Sequence, residues 1–538
     1  MDKINTRCLL KLAPYMIIVC VAVMPFVAAL PYPALAGWDD PDHITFNSRL
    51  AFSLENIGYW FSNSIISVYM PLTMLSYMLD HAVWGLNPFG YRLSNVLLHL
   101  AAVIAVYNCF RLLKLKYATA LFCALIFAIH PQRVESVIWL SERKDVLCAA
   151  LYFWSVYTYL RSAYSGGVSY RIMAFVLFIL ALLAKPMAVS LPFVFLCIEL
   201  HYRRTGDWKR PLKTLLPFFI PALAFMPVAM MFQSGTARQI DIFRQGAVVI
   251  HNIYWTITSS ILPLKLLPMY PRVEFTPVLI TMLFLFYAVV AWLMYKLYLR
   301  VGRNIFIFDI LTLIAAFLFA LAPVAGFFQL GHIDYADRYT CIPSAFLWLG
   351  MGMLFQKYLA PVFFRSAMRR AIFTVMLTAY FVMLFTATIR QAALWQNLDS
   401  LIDYSCRTEY CNDMALFELA LIKYRQGNKD AALDAAVRLE SYNKNWMSPE
   451  RGRELKLMAL YIKGMIFFDI AATNEAYQHL KAAHELFINT RVRRAGIFEN
   501  TCLRLYELEK RRGNDQVAQI YLQQYLAASG RLQHRNDK

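Results

Sequence analysis

Long apolar runs alternate with short polar segments along the first 390 residues of the chain. Runs of roughly 17 to 25 apolar residues are long enough to cross the hydrocarbon core of a bilayer as helices. We find about eleven such runs: 12–31, 93–113, 117–130, 145–161, 171–185, 187–201, 214–232, 276–296, 306–329, 339–356 and 371–389. The pattern predicts a polytopic bundle of membrane-spanning helices, and the aromatic stretch 233–275 predicts a re-entrant or interfacial helix.

The first apolar run could also be part of a signal peptide. It follows Lys3, Arg7 and Lys11, and Ala34-Leu35-Ala36 resembles a small-residue cleavage site. The apolar core of a typical signal peptide is about 7 to 15 residues long, and this run is longer. We therefore expect an uncleaved first helix, and a mature protein that began at Gly37 would contradict this.

Polar composition returns after residue 389. Residues 390–538 hold 22 basic and 18 acidic residues and no apolar run long enough to span a bilayer. Striped helices on either side of Gly427-Asn428 resemble a tetratricopeptide (TPR) unit, with weaker echoes at 454–488 and 495–528. We therefore expect an all-α chain with a transmembrane domain at 1–389 and a soluble TPR-like domain at 390–538. The alternative is an irregular helical domain without true repeats.

Composition and charge support this division and suggest an orientation. The chain is 59% hydrophobic and 16% charged, with a mean hydropathy of +0.46, which excludes an ordinary soluble protein. If the amino terminus is cytoplasmic, the segments between spans on the cytoplasmic side hold 20 basic and 4 acidic residues. The loops on the other side, before residue 390, hold 11 basic and 12 acidic residues, and an excess of basic residues is typical of the cytoplasmic side. We expect an integral protein of a bacterial inner membrane with a periplasmic C-terminal domain. The net charge of +19 then reflects topology, and no nucleic-acid partner is expected.

The cysteines and histidines do not form a recognisable metal motif. Of the ten cysteines, many lie inside apolar runs, where they act as small hydrophobic residues. Cys406 and Cys411 are the pair that we expect to be able to form a disulfide. No spacing resembles a zinc site, so the sequence assigns no cofactor and leaves a divalent metal open.

An acidic cluster follows the first apolar run, at Asp39, Asp40 and Asp42. A carboxylate at a membrane boundary is partly desolvated, which raises its pKa and makes it a usable base. The alternative is a solvated turn, because Asp-Pro sequences favour turns.

Two further clusters contain cations that could bind phosphate. Residues 130–145 concentrate acids, cations and a histidine, at His130, Arg133, Glu135, Arg143, Lys144 and Asp145. Residues 331–344 contain His332, Asp337, Arg338 and Tyr339 at the entry to an apolar run. Arginine and lysine near a helix start can clamp a phosphate, although basic residues also anchor helices at lipid headgroups. Lys185-Pro186 lies between two runs and fits either a phosphate contact or a simple turn.

Several short stretches together resemble the transmembrane-and-TPR O-mannosyltransferases and, more distantly, other glycosyltransferases of the GT-C class. They are Trp38-Asp39-Asp40-Pro41, His130–Val137, Ser141–Leu147, Ala184–Met187, Ala336–Thr340 with Pro343-Ser344, and Trp395-Gln396-Asn397. The resemblance implies a GT-C-like fold and an enzyme that moves a sugar from a polyprenyl-phosphate carrier to an acceptor, such as a protein hydroxyl, on the non-cytoplasmic face. The TPR-like domain would then hold a protein acceptor.

The resemblance also implies roles for single residues. Asp39 or Asp40 becomes the base of an inverting transfer, and we favour Asp40 because the residue before Pro41 is held extended. Glu135 matches an acidic position of the family. The candidates for binding the donor phosphate are Arg143, Lys144, Lys185, Arg338 and Tyr339.

Two other classes of function stay open. A transporter or flippase of a lipid-linked saccharide would fit a polytopic bundle, but transporters concentrate ionisable residues near the membrane midplane and often show inverted repeats. A noncatalytic assembly factor of the cell envelope would use the TPR-like domain alone to recruit a partner.

Overall fold

The computed structural model describes residues 2–35, 38–203, 209–233, 242–264, 266–303, 306–327, 333–407, 411–442, 449–489 and 495–536. Within these ranges the secondary structure is helical, apart from one isolated antiparallel bridge between Ile65 and Val68. The contacts divide the chain into two compact units. One contains residues 1–268 and 275–401, and the other contains 269–274 and 402–538. The all-α class predicted from the sequence is confirmed.

Most helices of the first unit follow the predicted apolar runs, whereas those at 54–62, 71–84, 133–138 and 360–363 lie outside these runs. In chain order the helices are α1 (Asp2–Val23), α2 (Leu54–Ser62), α3 (Pro71–Trp84), α4 (Pro88–Leu112), α5 (Tyr117–Ile129), α6 (Arg133–Ile138), α7 (Arg143–Ser165), α8 (Val168–Ala184), α9 (Leu191–Arg203), α10 (Lys209–Gln233), α11 (Ile242–Ile261), α12 (Pro277–Val301), α13 (Thr312–Leu321), α14 (Pro343–Leu354), α15 (Ala360–Phe363) and α16 (Ala367–Leu394). Helix α17 (Leu398–Arg407) crosses the boundary between the units.

Five segments of the described chain are long and apolar enough to cross a membrane. They are Lys11–Ala29, Pro88–Leu112, Pro211–Phe232, Pro277–Val301 and Ala367–Leu394. Shorter apolar helices occupy Tyr117–Ile129, Val168–Ala184, Pro186–Tyr202 and Phe308–Val324. The chain is therefore an integral membrane protein, and the number of eleven spans stays a prediction.

Large apolar side chains distinguish the outside of the first unit from its core. Only 6% of the most apolar part of helix Pro277–Val301 is buried, and the side chains of Phe284, Trp292 and Leu299 are exposed along it. The core is formed by α4, α5, α7, α8, α9 and α14, with Phe127, Tyr159 and Phe195 fully buried within it. An apolar outer surface around a close-packed core is what a helix bundle in lipid requires.

The second unit consists of consecutive helix pairs. Its helices are α18 (Asp413–Arg425), α19 (Lys429–Glu440), α20 (Pro449–Asp469), α21 (Thr473–Ile488), α22 (Ala495–Arg511) and α23 (Asp515–Asn536). Two turns between paired helices contain a glycine in the left-handed region: Gly427 and Gly513 adopt φ of +76° and +75°, which glycine tolerates best. Asn428 then caps α19 by accepting from the Ala431 amide at 3.1 Å. The TPR-like assignment and the domain boundary at 389 stay predictions.

Cys406 and Cys411 form a disulfide in the second unit, as their positions in the sequence suggested. The other cysteines whose side chains the structure describes are free, and most of them are buried. A disulfide is typical of proteins or domains that fold in an oxidising compartment.

Close packing between α20 and α21 depends on Gly464. A Cβ at this position would lie 2.6 Å from Cγ of Leu480, whereas a Cβ at Gly452 of the same helix would meet nothing within 4 Å. Gly464→Ala should therefore lower the free energy of unfolding by about 1–3 kcal/mol through overpacking. Gly452→Ala should raise it by about 0.5–1 kcal/mol, because alanine favours helix. Thermal unfolding of both variants measures this contrast, and equal effects would contradict the packing.

Candidate active site

Charged side chains meet at one end of the first unit, where α7 begins and α8 ends. Short turns at Leu140–Glu142, Pro186–Ser190 and Asp337–Thr340 bring the chain past this point three times. Residues 130–145 are all buried. From the sequence, the cations of this segment were expected either to clamp a phosphate or to anchor helices at lipid headgroups. In the structure α6 is buried, and several of the charged groups have ionic or hydrogen-bonding partners inside the protein.

Asp40 is held on both oxygens of its carboxylate. Oδ2 accepts from the Leu35 amide at 2.9 Å, and Oδ1 accepts from the amide of Ser141 at 3.0 Å and from its hydroxyl. The side chain is 0% exposed, and burial raises its pKa while these hydrogen bonds lower it. Asp40 therefore ties the first loop to the segment before α7.

Asp39 lies beside Asp40 but in a different environment. It is half-buried, and its carboxylate receives no hydrogen bond among the groups that act on it in the described chain. Burial raises its pKa; Lys144 and Arg338 lower it in part, and Glu142 raises it further. Such a carboxyl group suits proton abstraction, because it is desolvated and its lone pairs are free.

His43 fixes the backbone of Asp39. Its Nδ1 donates to the Asp39 carbonyl oxygen at 2.7 Å, and its own amide donates to the same oxygen at 3.0 Å. Burial lowers the pKa of His43 to about 4, so that the ring is neutral at physiological pH. This histidine was not among the residues that the sequence singled out for a role.

Arg338 joins two buried carboxylates. Its guanidinium pairs with Glu135, its amide donates to Oε2 of Glu135 at 2.9 Å, and Nε lies 3.5 Å from Oε1 of Glu142. Burial alone would raise the pKa of Glu142, but the charges of Lys144 and Arg338 outweigh it and lower the pKa. For Glu135 burial dominates and raises the pKa despite Arg338.

Two lysines complete the cluster. Nζ of Lys144 donates to Oε1 of Glu142 at 2.9 Å and to the Ser141 carbonyl oxygen at 3.0 Å, while Lys185 pairs with Asp145. Lys185 also lies 6.0 Å from the ring centroid of Tyr339. The cluster thus contains three cations and three carboxylates, and each cation is paired with at least one carboxylate. Its members are Lys144, Lys185, Arg338, Glu135, Glu142 and Asp145.

Arg143 points away from this cluster. Its guanidinium pairs with Asp80 at 2.5 Å, and its nitrogens donate to Asn95 Oδ1 at 2.8 Å and to the Tyr91 carbonyl oxygen at 2.7 Å. These contacts of the Arg143 guanidinium connect α7 to α3 and α4. The structure therefore separates Arg143 from Lys144, its neighbour in the predicted phosphate clamp.

The remaining candidates lie farther along the same segments. Tyr339 packs against Arg338, with 5.1 Å from the guanidinium carbon to the ring centroid. Buried Arg133 donates to the Thr340 hydroxyl, and Asp337 accepts from Gln132 at 3.4 Å. His130 is buried in the turn after α5, and His332 lies outside the described residues.

The described residues contain no group of three or more histidine, cysteine or acidic side chains that could hold a metal ion. Lys144, Lys185 and Arg338 occupy the positions between the acids where a cation would otherwise lie. The cluster can therefore supply positive charge from its own side chains.

Glu142 is the member of the cluster that the sequence did not assign a role. It lies two residues before Lys144, inside a stretch that was already singled out for its charges. Its position among cations could have identified it, because a buried lysine or arginine requires a carboxylate partner. Which acid pairs with which cation depends on contacts between distant segments.

Comparison with known proteins confirms the resemblance to the transmembrane-and-TPR O-mannosyltransferases. No family model matches the chain. The chain is 39% identical to human protein O-mannosyl-transferase TMTC2 over 104 residues, 35% identical to mouse TMTC1 over 99, and 32% identical to Drosophila melanogaster Tmtc1 over 120. These matches cover 18–22% of this chain and 10–14% of the relatives. The chain therefore matches less than a sixth of the length of each relative.

Two solved structures align with larger parts of the chain. ArnT from Cupriavidus metallidurans bound to undecaprenyl phosphate aligns with 95% of this chain and 75% of its own, at 12% identity and a TM-score of 0.38. An Archaeoglobus fulgidus oligosaccharyltransferase tethered to an acceptor peptide aligns with 79% of this chain and 59% of its own, at 13% identity and a TM-score of 0.37. Both TM-scores are below 0.5, so the superpositions do not establish a shared fold.

Proposed function

We propose that the protein is a membrane glycosyltransferase that moves a sugar from a polyprenyl-phosphate-linked donor to a protein hydroxyl. The observation that carries this proposal is Asp39, a half-buried carboxylate that receives no hydrogen bond from the described residues, beside a cluster of fixed cations. A base and a phosphate-binding group close together are what transfer of a sugar from a phosphate requires. The similarity to proteins named O-mannosyl-transferases supports the same class of reaction.

The cations can bind a phosphate without losing their present partners. Nζ of Lys144 has two acceptors for three hydrogens, and Lys185 has one carboxylate partner. Arg338 uses Nη1 and Nε toward the two glutamates, which leaves Nη2 for a ligand within the described part of the chain. The acids then serve to hold the cations in position, and the spare N–H groups face the leaving phosphate.

The proposed reaction proceeds in one displacement. Asp39 takes the proton of the acceptor hydroxyl, and the hydroxyl oxygen attacks the anomeric carbon on the face opposite to the phosphate. The bond from that carbon to the phosphate oxygen breaks, and the electron pair stays on the phosphate, where Lys144, Lys185 and Arg338 offset its charge. The configuration at the anomeric carbon inverts. We assign the base to Asp39 rather than Asp40, because both oxygens of Asp40 already accept hydrogen bonds.

We also propose an orientation and a role for the second unit. The charge asymmetry supports a cytoplasmic amino terminus in a bacterial inner membrane, with the active site and residues 390–538 on the periplasmic side. Consecutive helix pairs present a surface suited to an extended peptide, so we assign acceptor capture to this TPR-like unit. The disulfide between Cys406 and Cys411 agrees with a periplasmic location.

A transfer assay tests the proposed function. The purified protein, reconstituted in nanodiscs, is given undecaprenyl-phosphate mannose labelled in the sugar, together with envelope proteins as acceptors. We expect the labelled sugar to become attached to protein. Undecaprenyl phosphate carrying other sugars tests whether the protein uses a different donor. Movement of the lipid across vesicles without a covalent product would favour a flippase. No transfer from any donor, with a cellular defect rescued by one span and residues 390–538, would favour an assembly factor.

The pH dependence of transfer follows from the environment of Asp39. Burial raises its pKa above the usual value, and only the ionised carboxylate can accept a proton. Activity should therefore be low in acid and rise as pH increases through this raised pKa. His43, with a pKa of about 4, stays neutral and adds no step between pH 5 and 8. A profile of kcat/KM from pH 4 to 9 measures this, and activity that is highest at the acid end would contradict it.

A further inference from the structure

Three tryptophan rings from distant parts of the first unit pack together beside the proposed active site. The Trp38 ring centroid lies 5.2 Å from that of Trp139 and 6.1 Å from that of Trp395, and the last two are 5.7 Å apart. Trp38 belongs to the first loop, Trp139 to the turn after α6, and Trp395 to the residue after α16. Trp139 and Trp395 are buried in an apolar cluster, whereas Trp38 is half-buried and keeps part of its ring accessible.

The indole N–H groups of this cluster lack acceptors. Nε1 of Trp38, Trp139 and Trp395 are all buried, and none has a hydrogen-bond partner in the described part of the chain. Buried indole N–H groups normally donate to an oxygen, and a group left without a partner costs stability. Three of them in one cluster therefore mark a place whose packing is not optimised for stability alone, as is common at functional sites.

The cluster extends from the proposed base to the proposed phosphate site. Trp38 directly precedes Asp39, and the guanidinium carbon of Arg338 lies 5.8 Å from the centroid of the Trp139 ring. In the proposed displacement, the anomeric carbon must lie between the acceptor hydroxyl at Asp39 and the phosphate at Arg338. The sugar ring then lies over these indoles.

We infer that the half-exposed face of Trp38 stacks against the pyranose ring of the donor, with Trp139 and Trp395 fixing the orientation of Trp38 from behind. This inference rests on the proposed function. A pyranose presents a face of C–H groups, which the electron-rich face of an indole attracts. A flexible polyprenyl chain offers no rigid face of this kind, so the accessible face of Trp38 distinguishes the sugar from the carrier.

Binding of two related lipids tests this inference. The probes are undecaprenyl phosphate and undecaprenyl phosphate carrying mannose, glucose or galactose, measured by native mass spectrometry on the full chain in nanodiscs. We expect the wild type to bind at least one glycosylated lipid about tenfold more tightly than the bare lipid, the size expected of one stacked aromatic contact. Trp38→Ala should bind both equally, with unchanged affinity for the bare lipid.

Matched variants separate stacking from folding. Trp38→Phe keeps an aromatic face and should retain most of the preference for the glycosylated lipid, whereas Trp38→Leu keeps bulk and should lose it. Trp292→Ala, which removes an exposed tryptophan of α12, should leave the preference unchanged. Retention of the preference in Trp38→Leu, or its absence in a wild type that binds the bare lipid, would overturn the inference alone. A wild type that binds none of the lipids would overturn the proposed function as well.

Discussion

Asp39→Asn is expected to lower kcat for sugar transfer by about 10²–10⁴-fold, the usual contribution of a general base. The amide keeps the size of the carboxylate but cannot take the proton of the acceptor hydroxyl. Binding of the donor should change little, because the phosphate is held by the cations rather than by Asp39. Single-turnover transfer and donor binding, measured on the same preparation, separate these two effects.

Two neighbours of Asp39 provide the controls. Asp42 lies in the same loop and is exposed, so Asp42→Asn should transfer sugar at the wild-type rate. Asp40→Asn should instead lower thermal stability, because asparagine keeps one acceptor oxygen and its NH2 group cannot accept from the other of the Leu35 and Ser141 amides. Full activity in a folded Asp39→Asn variant would remove the base assignment. If only Asp40→Asn lost transfer without losing stability, Asp40 would take that role.

Arg338→Gln is expected to have the largest effect on stability. It leaves Glu135 buried beside a neutral group, and breaking a buried pair from one side costs about 3–5 kcal/mol of unfolding free energy. It also removes a donor that offsets the charge of the leaving phosphate, which should lower kcat by about 10²–10³-fold. Chemical unfolding and the transfer assay measure the two losses separately.

The double variant Arg338→Gln with Glu135→Gln distinguishes the two roles of the arginine. Removing both charges avoids the uncompensated carboxylate, so most of the lost stability should return. Transfer should stay low, because the phosphate still lacks its arginine. Recovery of both stability and transfer in the double variant would show that Arg338 serves only to neutralise Glu135.

The sequence was sufficient to predict most helices of the first unit and the segments that form the site. Apolar runs and their polar boundaries follow from local composition, and most of the described helices of the first unit coincide with them. Helices α2, α3, α6 and α15 were not predicted, because each is too short to form an apolar run that could span a bilayer. The site segments were recognised because charged residues between apolar runs are rare and costly. These signals are local, and a single sequence contains them directly.

The pairing of charges could not be predicted in the same way. Arg143 and Lys144 are neighbours, yet Arg143 pairs with Asp80 and Lys144 with Glu142. Which carboxylate each of these cations contacts depends on the rotation of α7 relative to α3 and α4, and only the packed structure determines this rotation. Asp39 and Asp40 differ for a similar reason, since Asp40 accepts from Ser141, 101 residues away. Long-range hydrogen bonds of this kind leave no periodic signal in the sequence.

An experimental structure of the full chain with undecaprenyl phosphate, determined by electron cryomicroscopy in nanodiscs, tests the proposed site most directly. We expect phosphate density within hydrogen-bonding distance of Nη2 of Arg338 and of Nζ of Lys144 or Lys185, with the Asp39 carboxylate on the opposite side of the space for the sugar. Phosphate bound instead among the basic residues of 357–370, with the Arg338 cluster unchanged and closed to the lipid, would contradict it.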